Sequence, residues 1–334
     1  MGKINFGIIG CSNVASRRFI PALLQSQYAN LEMIGSRDSQ KAAKFADKFK
    51  CNKHGTYRDV INDPDVDAVY ISTPITLREE LVSFAIKNNK HVISEKPAFL
   101  DYNTASKVVS LCKENKVRIM EGGVFKYHPQ HTIVKKHIND NRIGAVKYFD
   151  GQFTYPLPGP DNIRLKPELA GGVFYDSVGY PVAAAQLFIS NKPASVFCIR
   201  NFDEKYSVDN FVRIQIQFEN NVNAHAVAGF GLHYSSTYSI NGSKGRISVK
   251  RAYAVGEDME TTISIETDEG DEEITVPPHN QFLSMIDGFC SQILANESPN
   301  YDFEDDMLTQ HLIMDAAMKS SINKELVFLV EKRE

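Results

Sequence analysis

Short apolar runs alternate with amphipathic stretches over the first third of the chain. Ile4–Ile9 has the length of a strand and stops at Gly10, and a helical pattern follows over 13–25 with Phe19, Ala22 and Leu23 on one face. A second run at 31–36 leads into a helix over Ser39–Phe49. Asn62-Asp63-Pro64-Asp65 marks a turn. Residues 68–72 then read as a buried strand, 79–88 as a helix, His91–Ser94 as a strand, Tyr102–Asn115 as a helix and 117–120 as a strand. Apolar strands separated by helices predict a parallel sheet covered on both faces. The expectation is an α/β Rossmann-type doubly wound domain over residues 1–122.

The period changes in the second part. Residues 211–218 come close to strict alternation and, with 222–227, flank Glu219-Asn220-Asn221 as a hairpin with one wet face. Residues 238–240 and 246–249 repeat this around Asn241-Gly242-Ser243-Lys244-Gly245, and 262–266 and 273–276 around an acidic tip, Asp268-Glu269-Gly270-Asp271. Helices are expected at 173–188, Gln281–Ala295 and 303–322, the middle one striped by Phe282, Met285, Ile286, Phe289 and Ile293. Together these predict an α+β domain over 123–334, with a large open, mainly antiparallel sheet and helices on one face. This domain is assigned substrate binding and oligomerisation. Exposed apolar sheet surface is a liability, so alternate apolar rows predict a homodimer or a tetramer built from dimers.

Composition narrows the function classes. In 334 residues, 37 Lys+Arg against 41 Asp+Glu give a formal net charge of -4, which offers no broad basic field to nucleic acid or an anionic membrane. Five scattered cysteines (11, 51, 112, 198 and 290) form no C-x-x-C pair and suit free thiols in a reducing compartment. The first apolar run is too short for a signal peptide and no stretch is long enough to span a membrane, so a cytoplasmic protein is expected.

Gly7-Ile8-Ile9-Gly10-Cys11-Ser12-Asn13-Val14-Ala15 lies where the first strand meets the first helix. In the G-x-G-x-x-G/A frame the key positions are Gly10, Ser12 and Ala15, with a small serine in place of the middle glycine. Helix N–H groups from Ser12, Asn13 and Val14 are placed to meet a pyrophosphate. The second strand ends in Gly35-Ser36-Arg37, where an NAD-selective site would place an acid against the ribose. Arg37 brings a charged planar fork and Ser36 a hydroxyl, which suit a 2′-phosphate, so NADP(H) is expected; Asp38 is the competing acid. Ser72-Thr73-Pro74 and Glu95, at the carboxyl ends of two more strands, complete the expected cofactor contacts together with Lys96.

Glu95-Lys96-Pro97 follows the strand His91–Ser94, so a proline-restrained turn presents Lys96 at the ligand-binding edge of the sheet. In Gly171-Gly172-Val173-Phe174-Tyr175-Asp176-Ser177-Val178-Gly179-Tyr180-Pro181, Asp176 and Tyr180 are four apart and share a face if one helix carries both. A carboxylate and a phenol on one face could grip a polyol and pass a proton. His128 and His131 flank Pro129 without a companion acid–histidine–cysteine set, so no metal is expected. Tyr155 ends an aromatic strand and is within reach of a substrate.

The Gly10 turn, Ser36-Arg37, Glu95-Lys96-Pro97 and the Asp176…Tyr180 segment resemble the glucose–fructose oxidoreductase/inositol dehydrogenase (Gfo/Idh/MocA) family over nearly the whole chain. Within it the chain is most similar to NADP-dependent 3-ketoreductases of nucleotide-linked deoxysugars, through Ser12, Ser36-Arg37, His128-Pro129-Gln130-His131 and Ile163-Arg164 before the double glycine. The resemblance implies that Lys96 is catalytic and that Tyr180 stands where many inositol-dehydrogenase-like members carry histidine. Arg78 departs from the family, where a histidine is common, and receives no role. Reduction of a ketone develops charge on oxygen that a cation stabilises and an acid quenches. Tyr180 is therefore expected to donate the proton with Lys96 as its electrostatic partner. Asp176, Arg164, Tyr155 and His128 are expected to contact the substrate. The alternatives are an NADP-dependent dehydrogenase of free sugars or trans-dihydrodiols, and a non-catalytic NADP-binding sensor.

Overall fold

The computed structural model describes residues 2–295 and 302–329. The chain divides into two compact units, one comprising Met1–Val124 with Asn280–Thr309 and the other Phe125–His279 with Gln310–Glu334. In the first unit, β1 (Ile4–Ile9), β2 (Ala29–Gly35), β3 (Lys53–Gly55), β4 (Ala68–Ile71), β5 (His91–Ser94) and β6 (Ile119–Glu121) form one parallel sheet in the order β3-β2-β1-β4-β5-β6. Strand order reverses between β1 and β4, the place where open α/β sheets bind ligands. All four residues of β4 are buried, as both-face coverage requires.

The covering helices are α1 (Ile20–Leu23), α2 (Ser39–Phe49), α3 (Tyr57–Asn62), α4 (Arg78–Lys87) and α5 (Tyr102–Asn115). Helical turns begin at residue 13 and pass through a π-helical segment, Ala15–Phe19, before α1. Asp38 and Asp101 cap α2 and α5 through backbone N–H groups, and Thr56 with Asp59 forms a capping box on α3. Lys50 and Lys116 end α2 and α5 in the left-handed conformation.

The second unit contains α6 (Pro129–Asn139), β7 (Val146–Tyr155), α7 (Val173–Asp176), α8 (Gly179–Phe188), β8 (Pro193–Asp203), β9 (Val208–Phe218) and β10 (Asn223–Phe230). These are followed by β11 (Ser235–Gly242), β12 (Gly245–Lys250), β13 (Thr261–Thr267), β14 (Gly270–Val276) and, near the end of the chain, β15 (Val327–Phe328). One sheet runs β14-β13-β12-β11-β7-β10-β9-β8-β15, and β7–β10 is its parallel pair among antiparallel neighbours. The expected hairpins are present. On β9, Val212, Ile214, Ile216 and Phe218 are buried while Arg213, Gln215 and Gln217 are exposed. The apolar rows enter one core with Val134 of α6 and Val182 of α8. The outer face is mostly polar, with Phe197, Ile199 and Val227 interspersed. The apolar rows invoked for oligomerisation are thus already covered by helices.

The helix expected over 173–188 is two helices, broken at Ser177 (φ -129). In one continuous helix, Pro181 could offer no N–H to the Ser177 carbonyl. The break puts Pro181 in the first turn of α8, where no N–H is required, and Tyr180 donates to Ser177 instead at 3.2 Å.

The expected boundary at 122/123 lies two residues from the observed one, but the second unit is not the contiguous 123–334. Residues 280–309 return to the first unit. Met285, Ile286 and Phe289 of α9 (Gln281–Ala295) are fully buried, and the Phe289 ring lies 6.4 Å from Phe6 and 6.5 Å from His91. Glu304, in the first turn of α10 (Phe303–Asn323), takes Arg118 as a two-pronged partner and accepts from the Ile119 N–H at 2.9 Å. A stripe on a helix shows that it covers something, not which sheet it covers.

Two consequences are measurable. Phe289→Ala should cost about 3–5 kcal/mol in urea-induced unfolding, and a loss below about 1 kcal/mol would show that α9 is not part of the first core. His131 is buried, with Tyr238 Oη at 2.9 Å and the Ala252 carbonyl at 3.0 Å. Burial, reinforced by His128, lowers its pKa to about 3. An unfolded imidazole titrates near about 6.5, so below that pH the unfolded chain binds a proton that the folded chain refuses. Stability from this group is complete above about pH 6.5 and declines as the pH falls toward His131's own value. His131→Gln should flatten the pH dependence of unfolding free energy between about pH 6.5 and 4 by up to about 1.4 kcal/mol per pH unit. An unchanged slope would rule out a neutral His131.

Candidate active site

The cofactor end is built by a turn in which a side chain would be strained and crowded. Gly10 leaves β1 at φ +104, and a Cβ there would lie 3.2 Å from Ser72 Oγ and 3.3 Å from the Ser72 carbonyl carbon. Ser12 Oγ accepts from Ala15 N–H at 3.1 Å and donates to Ser72 Oγ, which in turn donates to the Gly10 carbonyl. The serine replacing the middle glycine therefore closes the first helical turn and ties it to β4. Asn13 is exposed and Val14 half-buried at that helix start. The close backbone approach and open helix start fit a dinucleotide pyrophosphate.

At the end of β2, Ser36 is buried and Arg37 is exposed beside Tyr57, whose hydroxyl burial pushes up in pKa while Arg37 opposes the shift. Asp38 is engaged elsewhere, since its carboxylate accepts from Gln40 N–H at 2.9 Å and Lys41 N–H at 3.1 Å. The competing acid is therefore a helix cap, and Arg37 is the charged side chain left at the strand end.

At the end of β5, Lys96 is half-buried on a turn with a cis Lys96–Pro97 peptide. Glu95 accepts from the buried Tyr70 hydroxyl at 2.7 Å, and Glu121 accepts from Ala98 N–H at 2.6 Å. Arg78, which departs from the family pattern, is buried here. Its Nε donates to the Thr73 carbonyl at 2.9 Å, and its Nη1 donates to the carbonyls of Glu95, at 2.6 Å, and Pro97. Thr73 is buried and Pro74 exposed on the loop between β4 and α4. Only the unusual residue type at position 78 signalled this connection in the sequence.

The polar centre of the second unit is Asp176. Its Oδ2 accepts from Arg164 Nε at 2.6 Å, Ser177 Oγ at 2.8 Å and Tyr155 Oη at 3.0 Å. The chain makes this possible by folding back, with Gly172 N–H on the Arg164 carbonyl at 2.8 Å and Gly171 N–H on that of Lys166 at 3.0 Å. Gly172 sits at φ +96 against Asp209, which accepts from Phe174 N–H and is held by Arg200. Burial works against the charge on Arg164, but Asp176 outweighs it and the pKa is raised. Burial and then Asp176 raise that of Tyr155 as well, so its hydroxyl keeps its proton.

Asp176 and Tyr180 do not share a helix face, since Asp176 ends α7 and Tyr180 lies in the first turn of α8. The Tyr180 ring is half-buried among Phe153 (5.1 Å), Tyr253 (5.8 Å) and Phe125 (5.9 Å). Gln310 donates to the Gly179 carbonyl at 2.9 Å and so pins the turn that carries Tyr180. His128, expected to contact the substrate, is fully buried, with Nδ1 capping α6 through Gln130 N–H. Burial followed by His279 lowers its pKa to about 4.

Comparison with known proteins agrees with these features. Residues 4–123 match the Gfo/Idh/MocA oxidoreductase family, NAD-binding Rossmann fold, and residues 131–248 match the Gfo/Idh/MocA C-terminal domain. A dTDP-3,4-didehydro-2,6-dideoxy-alpha-D-glucose 3-reductase of Saccharopolyspora spinosa is 31% identical over 87% of this chain and 88% of its own. An NADP-dependent D-xylose 1-dehydrogenase of Haloferax volcanii is 27% identical over 95% of this chain and 97% of its own. The crystal structure of a 3-ketoreductase from Actinomadura kijaniata, in complex with NADP and TDP-benzene, superposes with a TM-score of 0.89 at 28% identity, covering 96% of this chain and 98% of that one. The chain belongs to the Gfo/Idh/MocA oxidoreductase family.

Proposed function

We propose that the protein is an NADPH-dependent oxidoreductase that reduces a keto group, at C3, of a nucleotide-linked deoxysugar. The observation that carries the cofactor preference is the end of β2, where Asp38 is held by its own helix while Arg37 is exposed. The substrate class is supported by the likeness to dTDP-sugar 3-reductases and to the ketoreductase that binds TDP-benzene.

Bound at the Gly10 turn, the reduced cofactor supplies a hydride to the carbonyl carbon. Ser12, Asn13 and Val14 receive the pyrophosphate, Ser36 and Arg37 the 2′-phosphate, and Ser72, Thr73, Pro74 and Glu95 border the nicotinamide side. Lys96 polarises the carbonyl and stabilises the charge that develops on its oxygen. Tyr180 donates its phenolic proton to that oxygen, completing the alcohol, and is reprotonated from solvent. Asp176, anchored by Tyr155 and Ser177, positions sugar hydroxyls, and the guanidinium edge of Arg164 that faces away from Asp176 takes the diphosphate. Assembly as a homodimer or tetramer would bury Phe197, Ile199 and Val227, the few apolar side chains on the otherwise polar outer face of the sheet.

The test offers 3-keto dTDP-sugars, free aldoses and dihydrodiols while the absorbance of the reduced cofactor is followed. Turnover of the 3-keto sugar alone supports the proposal. Oxidation of aldoses or dihydrodiols with NADP+ would identify a dehydrogenase, and cofactor binding without turnover of any substrate a sensor. Tyr180→Phe should lower kcat by about 10²- to 10⁴-fold with NADPH affinity unchanged, and full activity would reject its role. Arg37→Ala should reduce the preference for NADPH over NADH by about 10- to 100-fold, the worth of hydrogen bonds to a charged group.

A further inference from the structure

We propose that Arg78 is the positioning residue for Lys96, and that it couples the Ser72-Thr73-Pro74 loop to the turn carrying that lysine. The proposal rests on the reading of Lys96 as the catalytic cation. The two carbonyls that Nη1 grips belong to Glu95 and Pro97, the residues on either side of Lys96. Nε holds Thr73, on the loop that follows β4. One rigid planar group thus fixes the backbone before and after the lysine and references both to the neighbouring strand.

A guanidinium is an expensive choice for a place that is 8% exposed. Burial works against its charge and lowers its pKa, and the carboxylates of Glu95 and Glu121 make up only part of that penalty. A neutral side chain would fill the space at lower cost but could not meet three carbonyls in fixed directions. Lysine keeps the charge without the planar fork, so it is not an equivalent replacement. The return for the cost is control of where the Lys96 stem departs from the backbone. A misplacement of about 1 Å at a catalytic group can cost about 100-fold in rate.

The experiment compares Arg78→Lys, Arg78→Ala, Lys96→Met and the double variant R78A/K96M, at saturating NADPH and sugar. Both Arg78 variants should lose about 100-fold in kcat while KM for the sugar changes little. R78A/K96M should be no slower than K96M, because a residue acting through Lys96 has nothing left to position once the lysine is gone. Guanidinium chloride in the millimolar range should restore part of the R78A turnover, with sodium chloride as the inert control. Should R78A fail to fold, R78K with a wild-type Tm carries the same comparison through R78K/K96M. Near-wild-type kcat in R78K beside an impaired K96M, or a double variant slower than K96M by the full Arg78 effect, would overturn the proposal. Undiminished turnover in K96M would instead overturn the assignment of Lys96, and this inference with it.

Discussion

The close approach of β1 to the chain leaving β4 governs the nucleotide end of this protein. The backbone must turn out of β1 at positive φ close against Ser72, so a side chain at position 10 would be strained and would crowd Ser72. The hydroxyls of Ser12 and Ser72 then complete what the backbone begins, one stitching the helix start and the other the Gly10 carbonyl. Because this contact lies where strand order reverses, it creates the opening and the row of N–H groups in one step. Ser36, Arg37 and the Lys96 turn lie at the carboxyl ends of β2 and β5 in the same parallel sheet.

A second constraint organises the other unit. Asp176 gathers Arg164, Ser177 and Tyr155 on one oxygen, and the double glycine lets the chain double back far enough for that to happen. The helix break beside it serves two ends. It relieves Pro181 of an N–H it lacks, and it starts a new helix at Gly179 with Tyr180 in its first turn. A polar anchor and an aromatic-lined phenol thus come from adjacent short helices.

Much of this was legible because strands buried on both faces and amphipathic helices leave different periods in the sequence. Ser39–Phe49, His91–Ser94, Tyr102–Asn115 and Gln281–Ala295 have the boundaries the pattern predicts. The misreadings share a cause, since periodicity reports that a face is covered but not by what. It could not assign Gln281–Ala295 to the first sheet, nor show that the outer rows of the second sheet are polar while the inner rows already have helices. Titratable residues are harder to place, since periodicity carries no sign that His128 is a fully buried cap on α6 or that Arg78, which received no role, is buried among carbonyls.

The return of residues 280–309 to the first unit bears on how the chain is made. A ribosome releases the six parallel strands long before it releases the helix whose Phe289 lies against Phe6. At translation speeds of about 5–20 residues per second, that interval is on the order of ten seconds or more. During it the nascent nucleotide-binding half presents an uncovered apolar flank to chaperones and neighbouring chains. A product stalled before α9 emerges would carry the fingerprint turn on a core that lacks Met285, Ile286 and Phe289.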